Sequence, residues 1–184
     1  MSTTDAATGP CDRYAVQIAA GAVALEERRS EAVGWHAFHS FVDELTPAEI
    51  LTPGYYAEGW SVRDLVGHVG AWLAEGGLLL EQMVAGTYVE GELDVDAANE
   101  RFFDLMRDLP FDTIRLQAWA SRWRLVDTLA QLSNPPPEAG RWLAKAGGNH
   151  YAEHLPRLAE WCDELMARRV GAGASEGAGG GRRA

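Results

Sequence analysis

GWSVRDLVGHVGAW, residues 59–72, is the stretch of the sequence that decides the fold. Ser61 and Asp64 have the spacing of a capping box, in which a hydroxyl caps the first turn of a helix and an acidic side chain three residues later bonds back to it. His68 and Trp72 then recur four residues apart, so they lie on the same face of that helix. The stretch therefore predicts the start of an amphipathic helix with a histidine on its apolar side.

The rest of the chain repeats the helical spacing of apolar residues, and no segment alternates apolar and polar residues over the length of a strand. This pattern predicts an all-α fold with four main helices and at least one long connection. Glycines, prolines and polar clusters mark where the helices stop. The predicted boundaries are a first helix capped by Asp12, a loop over 46–60, a second helix from Ser61 to Gly86, a third capped by Asp96 and interrupted at Pro110, a turn over 134–140, and a last helix over 141–169.

The 184 residues suit one folded domain, which we place at residues 12–169. Residues 1–11 are small and polar, and residues 170–184 are a Gly/Ala-rich segment of low complexity, so both are predicted to be disordered tails. The start of the chain lacks the basic and apolar regions of a signal peptide. We therefore expect the protein to act in the cytoplasm.

The charge balance argues against polyanionic partners. Lys and Arg number 16 against 27 Asp and Glu, for a net charge of −11, and the basic residues form no stripe. A nucleic-acid binder needs clustered cations to neutralise phosphates, so neither nucleic acid nor an anionic membrane surface is a predicted partner. No stretch reaches the roughly 20 apolar residues of a membrane span. A small molecule is the expected partner, with a homodimer as the alternative to a monomer.

Three histidines are the candidate metal ligands: His68, His150 and His154. The last two are four residues apart, so their β-carbons lie about 5–6 Å from each other on one helical face. His68 occupies the same kind of position on its own helix. Three imidazoles that converge inside a helical bundle predict a divalent metal site with an open position. The alternative, in which each is a hydrogen-bonded core residue, stays open, and His36 and His39 are interpreted as surface residues or as supports of the ligands.

The two cysteines, Cys11 and Cys162, do not predict chemistry of their own. They are too few for a disulfide framework and are not spaced as a zinc-binding pair. Cys162 lies in a predicted helix and is interpreted as a small buried apolar residue. The nucleophile of any covalent reaction is therefore expected to arrive with a co-substrate.

Two segments resemble the signature of the DinB/YfiT-like superfamily: GWSVRDLVGH at 59–68 and NHYAEHLP at 149–156. The superfamily includes mycothiol-dependent maleylpyruvate isomerases and bacillithiol transferases, and the resemblance covers residues 20–169. It implies a four-helix bundle with a long crossover connection and a metal near one end, held here by His68, His150 and His154. His150 stands where the mycothiol-dependent isomerases tend to carry Glu, so the sequence is closer to the three-histidine members.

The resemblance implies a metal-dependent enzyme, and the leading hypothesis is an S-transferase that joins a low-molecular-weight thiol to a small electrophile in a detoxification step. The metal is expected to be zinc, with nickel, manganese or iron as alternatives. Its charge would deprotonate the thiol, which the resemblance identifies as mycothiol or bacillithiol. Two alternatives stay open: a hydrolase whose metal activates water, with Glu153 or Glu75 as the candidate base, and a non-enzymatic bundle that sequesters a small molecule.

Aromatic residues near the three histidines are the candidates for the wall of a pocket that binds the substrate and the thiol. We assign Trp60, Trp72 and Tyr151 to that wall, with Tyr55 and Tyr56 as further candidates. The chain has 7 Trp, spread over every predicted helix, so a core-filling role is the alternative for any one of them.

Overall fold

The computed structural model describes residues 10–56 and 59–179, with side chains over 25–56 and 59–171. This part of the chain is all-helical and contains no β-strand, so the prediction of an all-α fold is confirmed. None of the helices described is both long and apolar enough to cross a membrane. In chain order the elements are α1 (Pro10–Asp43), α2 (Pro47–Ile50), α3 (Val62–Ala85), α4 (Val95–Met106), α5 (Phe111–Gln131), α6 (Pro137–Leu143), a π-helical segment (Ala144–Gly148) and α7 (Asn149–Gly179).

Helix α3 begins and ends where the sequence predicted. The Ser61 backbone N–H and hydroxyl both donate to the Asp64 carboxylate, at 2.9 and 2.7 Å, and so tie the Asp64 side chain back to the start of the helix, as in a capping box. Gly86 ends the helix with φ 69°, a left-handed conformation that glycine adopts readily and other residues rarely do. Helix α3 then lies along α5. Gly70 permits this close approach, because a Cβ there would lie 2.9 Å from the Cα of Ala118.

The other half of the bundle is the packing of α1 against α7 and the π-helical segment. The approach is close, since a Cβ on Gly147 would lie 2.8 Å from Cγ of Glu31. The π-helical segment also contacts α3, so it is held between two long helices. Side chains from all four long helices meet in one apolar core, in which each large buried side chain contributes about 1.5–3 kcal/mol. Fully buried members of that core include Phe38, Leu65, Leu125 and Leu158.

Four helix starts differ from the predictions. Helix α1 already includes Pro10, so Asp12 lies inside it and is not its cap. The segment 46–60 is not all loop, because it contains α2 with a capping box of its own. The cap of α4 is Asp94 and not Asp96, which lies in the first turn. Helix α6 starts at Pro137, inside the segment 134–140 that was predicted to be non-helical. Proline is tolerated in the first turn of a helix, where its missing N–H would have no partner in any case.

The predicted last helix over 141–169 is three elements in the structure. Helix α6 passes into the wider π-helical turn, and α7 then continues to Gly179, past the predicted end at Arg169. Once a helix has formed, each added residue gains a hydrogen bond without a new nucleation step. The helix therefore enters the segment predicted to be a disordered tail, while residues 1–9 and 180–184 lie outside the described residues.

Candidate metal centre

Three histidines from two helices meet inside the bundle: His68 from α3, and His150 and His154 from the start of α7. The Nε2 atom of His150 lies 2.9 Å from Nε2 of His68 and 3.2 Å from Nε2 of His154. Ligand nitrogens of the three residues all fall within 4.8 Å of one another. Three nitrogens at 2.0–2.1 Å from a tetrahedral zinc ion would be about 3.3 Å apart, so the spacing fits such an ion.

Hydrogen bonding alone cannot satisfy this arrangement. A neutral imidazole nitrogen either carries one hydrogen or offers one in-plane lone pair. Because His150 Nε2 faces two other ring nitrogens, at most one of its two contacts can be a good hydrogen bond. Because each of the three nitrogens either donates or accepts, at least one pair among them places two lone pairs, or two N–H groups, next to each other in a buried place. A cation among the three nitrogens removes the conflict by accepting all three lone pairs, and a set of three imidazoles suits zinc and similar divalent metals.

Burial keeps the three imidazoles neutral, which is the form that binds a metal. Desolvation is the main cause that lowers the pKa of His68 from 6.5 to about 2, and the neighbouring His150 and His154 add to the shift. Desolvation also lowers the pKa of His150 to about 3 and the pKa of His154 to about 4. All three residues therefore offer lone pairs at neutral pH.

Tyr56 supports His154 at the ring nitrogen that does not face the cluster. Its hydroxyl lies 3.0 Å from His154 Nδ1. When Nε2 binds a metal, the ring hydrogen is on Nδ1, so Nδ1–H donates to the Tyr56 oxygen and fixes both tautomer and ring orientation. Nδ1 of His150 makes no hydrogen bond of standard geometry in the described part of the chain, and a backbone contact with Ala146, which acts to raise the pKa of His150, is the support that remains.

The three histidines line a pocket of about 630 Å³ that opens to solvent. This volume is typical of small-molecule sites. Trp60 and Trp72 belong to its wall, where the sequence placed them, and Tyr56 joins them. The Trp60 ring centroid is 5.4 Å from that of His68, and the Trp72 centroid is 6.2 Å from that of His150. The metal candidates are thus bordered by aromatic side chains that a small organic molecule can pack against.

Tyr151 and Tyr55, expected in the same wall, are instead buried outside the pocket. One residue along a helix turns the side chain by about 100°, so Tyr151 points away from the face that carries His150. Its hydroxyl donates to Glu31 on α1 at 3.1 Å. Glu31 is 1% exposed and also accepts two hydrogen bonds from Arg122 on α5, at 2.7 and 2.9 Å. This network ties α1, α5 and α7 together next to the histidines.

The pocket also has polar residues that sequence reasoning missed, Asn99 on α4 and Lys145 in the π-helical segment, beside the predicted candidate Glu153. Trp72 Nε1–H donates to Asn99 Oδ1 at 2.9 Å. The Lys145 ammonium lies 5.5 Å from the Trp72 ring centroid and 5.0 Å from that of Trp142. The region of Asn99 also resembles the superfamily, but no motif assigns Asn99 or Lys145 to the site, because both reach the pocket through packing between helices.

No cysteine lines the pocket among the residues that the structure describes. Cys162 is buried, and burial is the main cause that raises the pKa of its thiol to about 11, so the thiol stays protonated at neutral pH. This confirms its interpretation as a buried residue, whereas the side chain of Cys11 lies outside the described residues. Glu75, one of the two candidate bases, lines a separate groove between α3, α4 and α5.

His39 is a buried core residue, although its position at the edge of an apolar stripe suggested the surface. Its ring centroid lies 4.0 Å from that of Trp35 and 5.1 Å from that of Trp119. Neither ring nitrogen has a hydrogen-bond partner within the described ranges. Burial is the main cause that lowers the pKa of His39 to about 4, while Asp43 opposes the shift. His39 is therefore neutral at physiological pH.

The fold and the site define a class: a DinB-like helical protein with three buried histidines that could hold a metal ion. Within that class, the chain belongs to the family described as mycothiol maleylpyruvate isomerase N-terminal domain, whose sequence model matches residues 32–172. The resemblance inferred from the two motifs is thereby confirmed. No curated protein matches the sequence.

Two solved structures are similar to this one. The first is an uncharacterised protein from Escherichia coli UTI89, with a TM-score of 0.67 at 17% sequence identity over 78% of this chain and 94% of that chain. The second is the colibactin self-resistance protein ClbS in complex with a dsDNA, with a TM-score of 0.64 at 16% identity over 75% of this chain and 94% of that chain. At these identities the likeness shows the fold alone.

The ClbS complex corrects the prediction that nucleic acid is excluded as a partner. A protein of the same fold is found with dsDNA, so the exclusion is wrong. It rested on a net charge of −11, which is a sum over the whole chain, and on the lack of a basic stripe along the sequence. Affinity for DNA depends instead on the local arrangement of cations and hydrogen-bond donors around the phosphates. A whole-chain charge therefore cannot exclude this class of partner.

Proposed function

We propose that this protein is a metal-dependent transferase that joins a low-molecular-weight thiol, of the mycothiol or bacillithiol type, to a small electrophile. The observation that carries the proposal is the set of three histidines on the wall of an open pocket of about 630 Å³. The family name, which refers to mycothiol, supports a thiol of this type. The lack of a cysteine among the described pocket residues supports a nucleophile that arrives with the co-substrate.

The residues of the chain have distinct tasks in this proposal. His68, His150 and His154 would hold a divalent ion, and burial keeps them neutral for that purpose. The ion supplies positive charge that favours the thiolate form of the co-substrate over the thiol. With an ion on Nε2 of His154, the Tyr56 oxygen would accept the hydrogen of Nδ1 and so orient the ring. Trp60 and Trp72 supply apolar surface in the pocket wall against which the thiol or the electrophile can pack.

The reaction forms one carbon–sulfur bond and breaks one bond to a leaving group. The thiol sulfur attacks the electrophilic carbon, and the bonding electron pair goes to the leaving atom, which is the departing halide of an alkyl halide or the ring oxygen that an epoxide retains and protonates. The thiol proton passes to solvent or to a basic side chain at the pocket. Glu153 is the carboxylate that lines the pocket, so it is the candidate for that proton.

Glu153 also favours hydrolysis as the second candidate function. A carboxylate beside a metal site with an open position can take a proton from an attacking water. A hydrolase needs no thiol and adds oxygen from water to the product. The two candidates therefore differ in the co-substrate they require and in the atom that the product gains.

Product analysis tests the proposal. We expect the purified, metal-containing protein to convert alkyl halide and epoxide electrophiles only when mycothiol or bacillithiol is present, with a product mass equal to the thiol adduct. His150→Ala should lose both metal and turnover, because the site then keeps two of its three nitrogens. The matched control is His36→Ala, which removes an exposed histidine of α1 and should retain both.

The outcomes separate the candidate functions. Thiol-independent turnover with ¹⁸O from labelled water in the product would replace the transferase by the hydrolase. Stoichiometric binding of the electrophile without any product would show a sequestering bundle. Full metal content in His150→Ala would remove that residue from the site.

A further inference from the structure

We propose that Lys145 and Asn99 form a subsite for the carboxylate group of the small molecule that reacts in this pocket. The subsite is built around the indole of Trp72, which both residues contact. A substrate that uses this subsite is a small organic anion, and the subsite holds it at a fixed position relative to the histidines. The inference rests on the proposed function, because the subsite is assigned to the substrate of the transferase. Its test measures binding and needs no turnover.

Lys145 stands apart from every other basic residue of the chain. It is one of 16 Lys and Arg residues, and the other 15 are all Arg. Arginines make the ion pairs among the described side chains, and none of those pairs includes Lys145. Its ammonium lies instead near two indole rings, those of Trp72 and Trp142, where a cation keeps its N–H donors available. The single lysine therefore presents an ammonium to the pocket that it lines.

The hydrogen bond from Trp72 fixes the orientation of Asn99. An indole nitrogen only donates, so the Asn99 atom at 2.9 Å from it is the amide oxygen. The amide nitrogen and its two N–H donors then point away from the indole. Because Asn99 lines the pocket, these donors are available to a ligand. An ammonium and an amide next to one ring can together bind the two oxygens of a carboxylate, and the charged partner makes such hydrogen bonds strong.

The charges in the pocket set the orientation of the bound molecule. Lys145 and Glu153 are eight residues apart along one helical path, which corresponds to about 12 Å. His150 lies between them in the sequence and on the pocket wall. A carboxylate is attracted to the Lys145 end and repelled from the Glu153 end, which places the rest of the molecule beside the histidines. A local cation can attract an anion in this way although the chain as a whole carries −11.

A purely structural role for Lys145 makes a different prediction. In that case the side chain would only cover the faces of Trp72 and Trp142 with its methylene groups. Lys145→Met keeps most of this cover and removes the charge. Asn99→Asp keeps an oxygen that accepts from Trp72 Nε1–H, but it removes the amide donors and adds a negative charge. Both variants therefore separate ligand binding from support of the fold.

Calorimetric titration of the metal-containing protein with benzoate and with benzamide tests the subsite. The two probes have nearly the same shape and differ in charge. We expect benzoate to bind at least about tenfold more tightly than benzamide, and Lys145→Met and Asn99→Asp to lose about tenfold or more of the benzoate affinity only. Lys145→Arg should keep the preference for benzoate. The matched control is Arg141→Gln, which removes a nearby exposed positive charge outside the pocket and should also keep it.

The presence of one lysine allows the contact to be located. Reductive methylation with ¹³C-formaldehyde labels the Lys145 amine and the N-terminal amine, and we expect benzoate to shift the lysine signal alone. Equal affinities for benzoate and benzamide would overturn the subsite. So would unchanged benzoate affinity in Lys145→Met, which is the result expected if the carboxylate binds the metal directly. A preserved benzoate preference together with failed thiol transfer would reject the transferase and leave the subsite standing.

Discussion

Replacing Glu31 by glutamine tests whether the buried network next to the π-helical segment stabilises the fold and the site. Glu31 accepts two hydrogen bonds from Arg122 and one from Tyr151. Glutamine has nearly the same shape but no charge, and one of its oxygens becomes an NH₂ group that faces donors. The change therefore leaves the Arg122 guanidinium without its carboxylate, in a side chain that is 22% exposed.

The magnitude follows from the burial of the two partners. Removing one partner of a buried ion pair costs about 3–5 kcal/mol. Because Arg122 is partly exposed, water compensates some of the loss, and we expect about 3 kcal/mol in the free energy of unfolding. For a chain of this size that corresponds to a fall in Tm of about 6–12 °C. Metal content should also decrease, because Glu31 contacts Gly147 and Tyr151, which flank His150 in the sequence.

Urea unfolding of the variant and the wild type measures the effect. The matched control is Glu81→Gln, which breaks another bidentate pair, between Glu81 and Arg124, whose side chains are 35% and 59% exposed. That control should lose less than about 1 kcal/mol, since exposed ion pairs contribute little. Equal losses in the two variants, or a loss below about 1 kcal/mol for Glu31→Gln, would refute the argument that burial decides the contribution of the pair.

Three further predictions concern the ligand support, the core and the end of α7. Tyr56→Phe should lower zinc affinity about 10–100-fold in chelator competition, because His154 Nδ1–H loses its acceptor, and an unchanged affinity would contradict that role. Burial lowers the pKa of His39 from 6.5 in the unfolded chain to about 4 in the folded protein. Neutral His39 therefore contributes fully to stability above pH 6.5, and this contribution is lost as the pH falls towards 4. The loss amounts to about 3 kcal/mol at most in the free energy of unfolding. Between pH 7 and pH 4.5, the free energy of unfolding should therefore decrease less for His39→Phe than for the wild type. Equal decreases in the two proteins would contradict this. Deleting residues 171–184 should change the free energy of unfolding by less than roughly 0.5 kcal/mol, and a larger loss would show that the end of α7 packs on the bundle.

The helices were predictable where local hydrogen bonds define them. The capping box of Ser61 and Asp64 and the left-handed Gly86 involve neighbours in the sequence, so the bounds of α3 follow from the residues alone. The start of α4 was missed because Asp94 and Asp96 are both competent caps. The local sequence does not distinguish them, and the structure shows that Asp94 accepts from the Ala97 N–H.

The candidate metal site was predictable in part for the same reason. His150 and His154 share a face because four residues make about one helical turn. His68 joined that pair in the prediction because it lies on the apolar face of its own helix, and the structure brings its Nε2 to 2.9 Å from that of His150. No periodicity within one helix can predict this distance, since it depends on how closely α3 packs against the π-helical segment.

The sequence by itself determined the helical class, the main breaks between helices, and which histidines can share a face. Only the tertiary structure decided that Tyr151 turns to Glu31 while Asn99 and Lys145 meet at Trp72 in the pocket. The physical reason is the range of the interactions involved. Rotation per residue and capping depend on bonds within a few residues, whereas a pocket is made by side chains from different helices, whose positions depend on how the whole core packs.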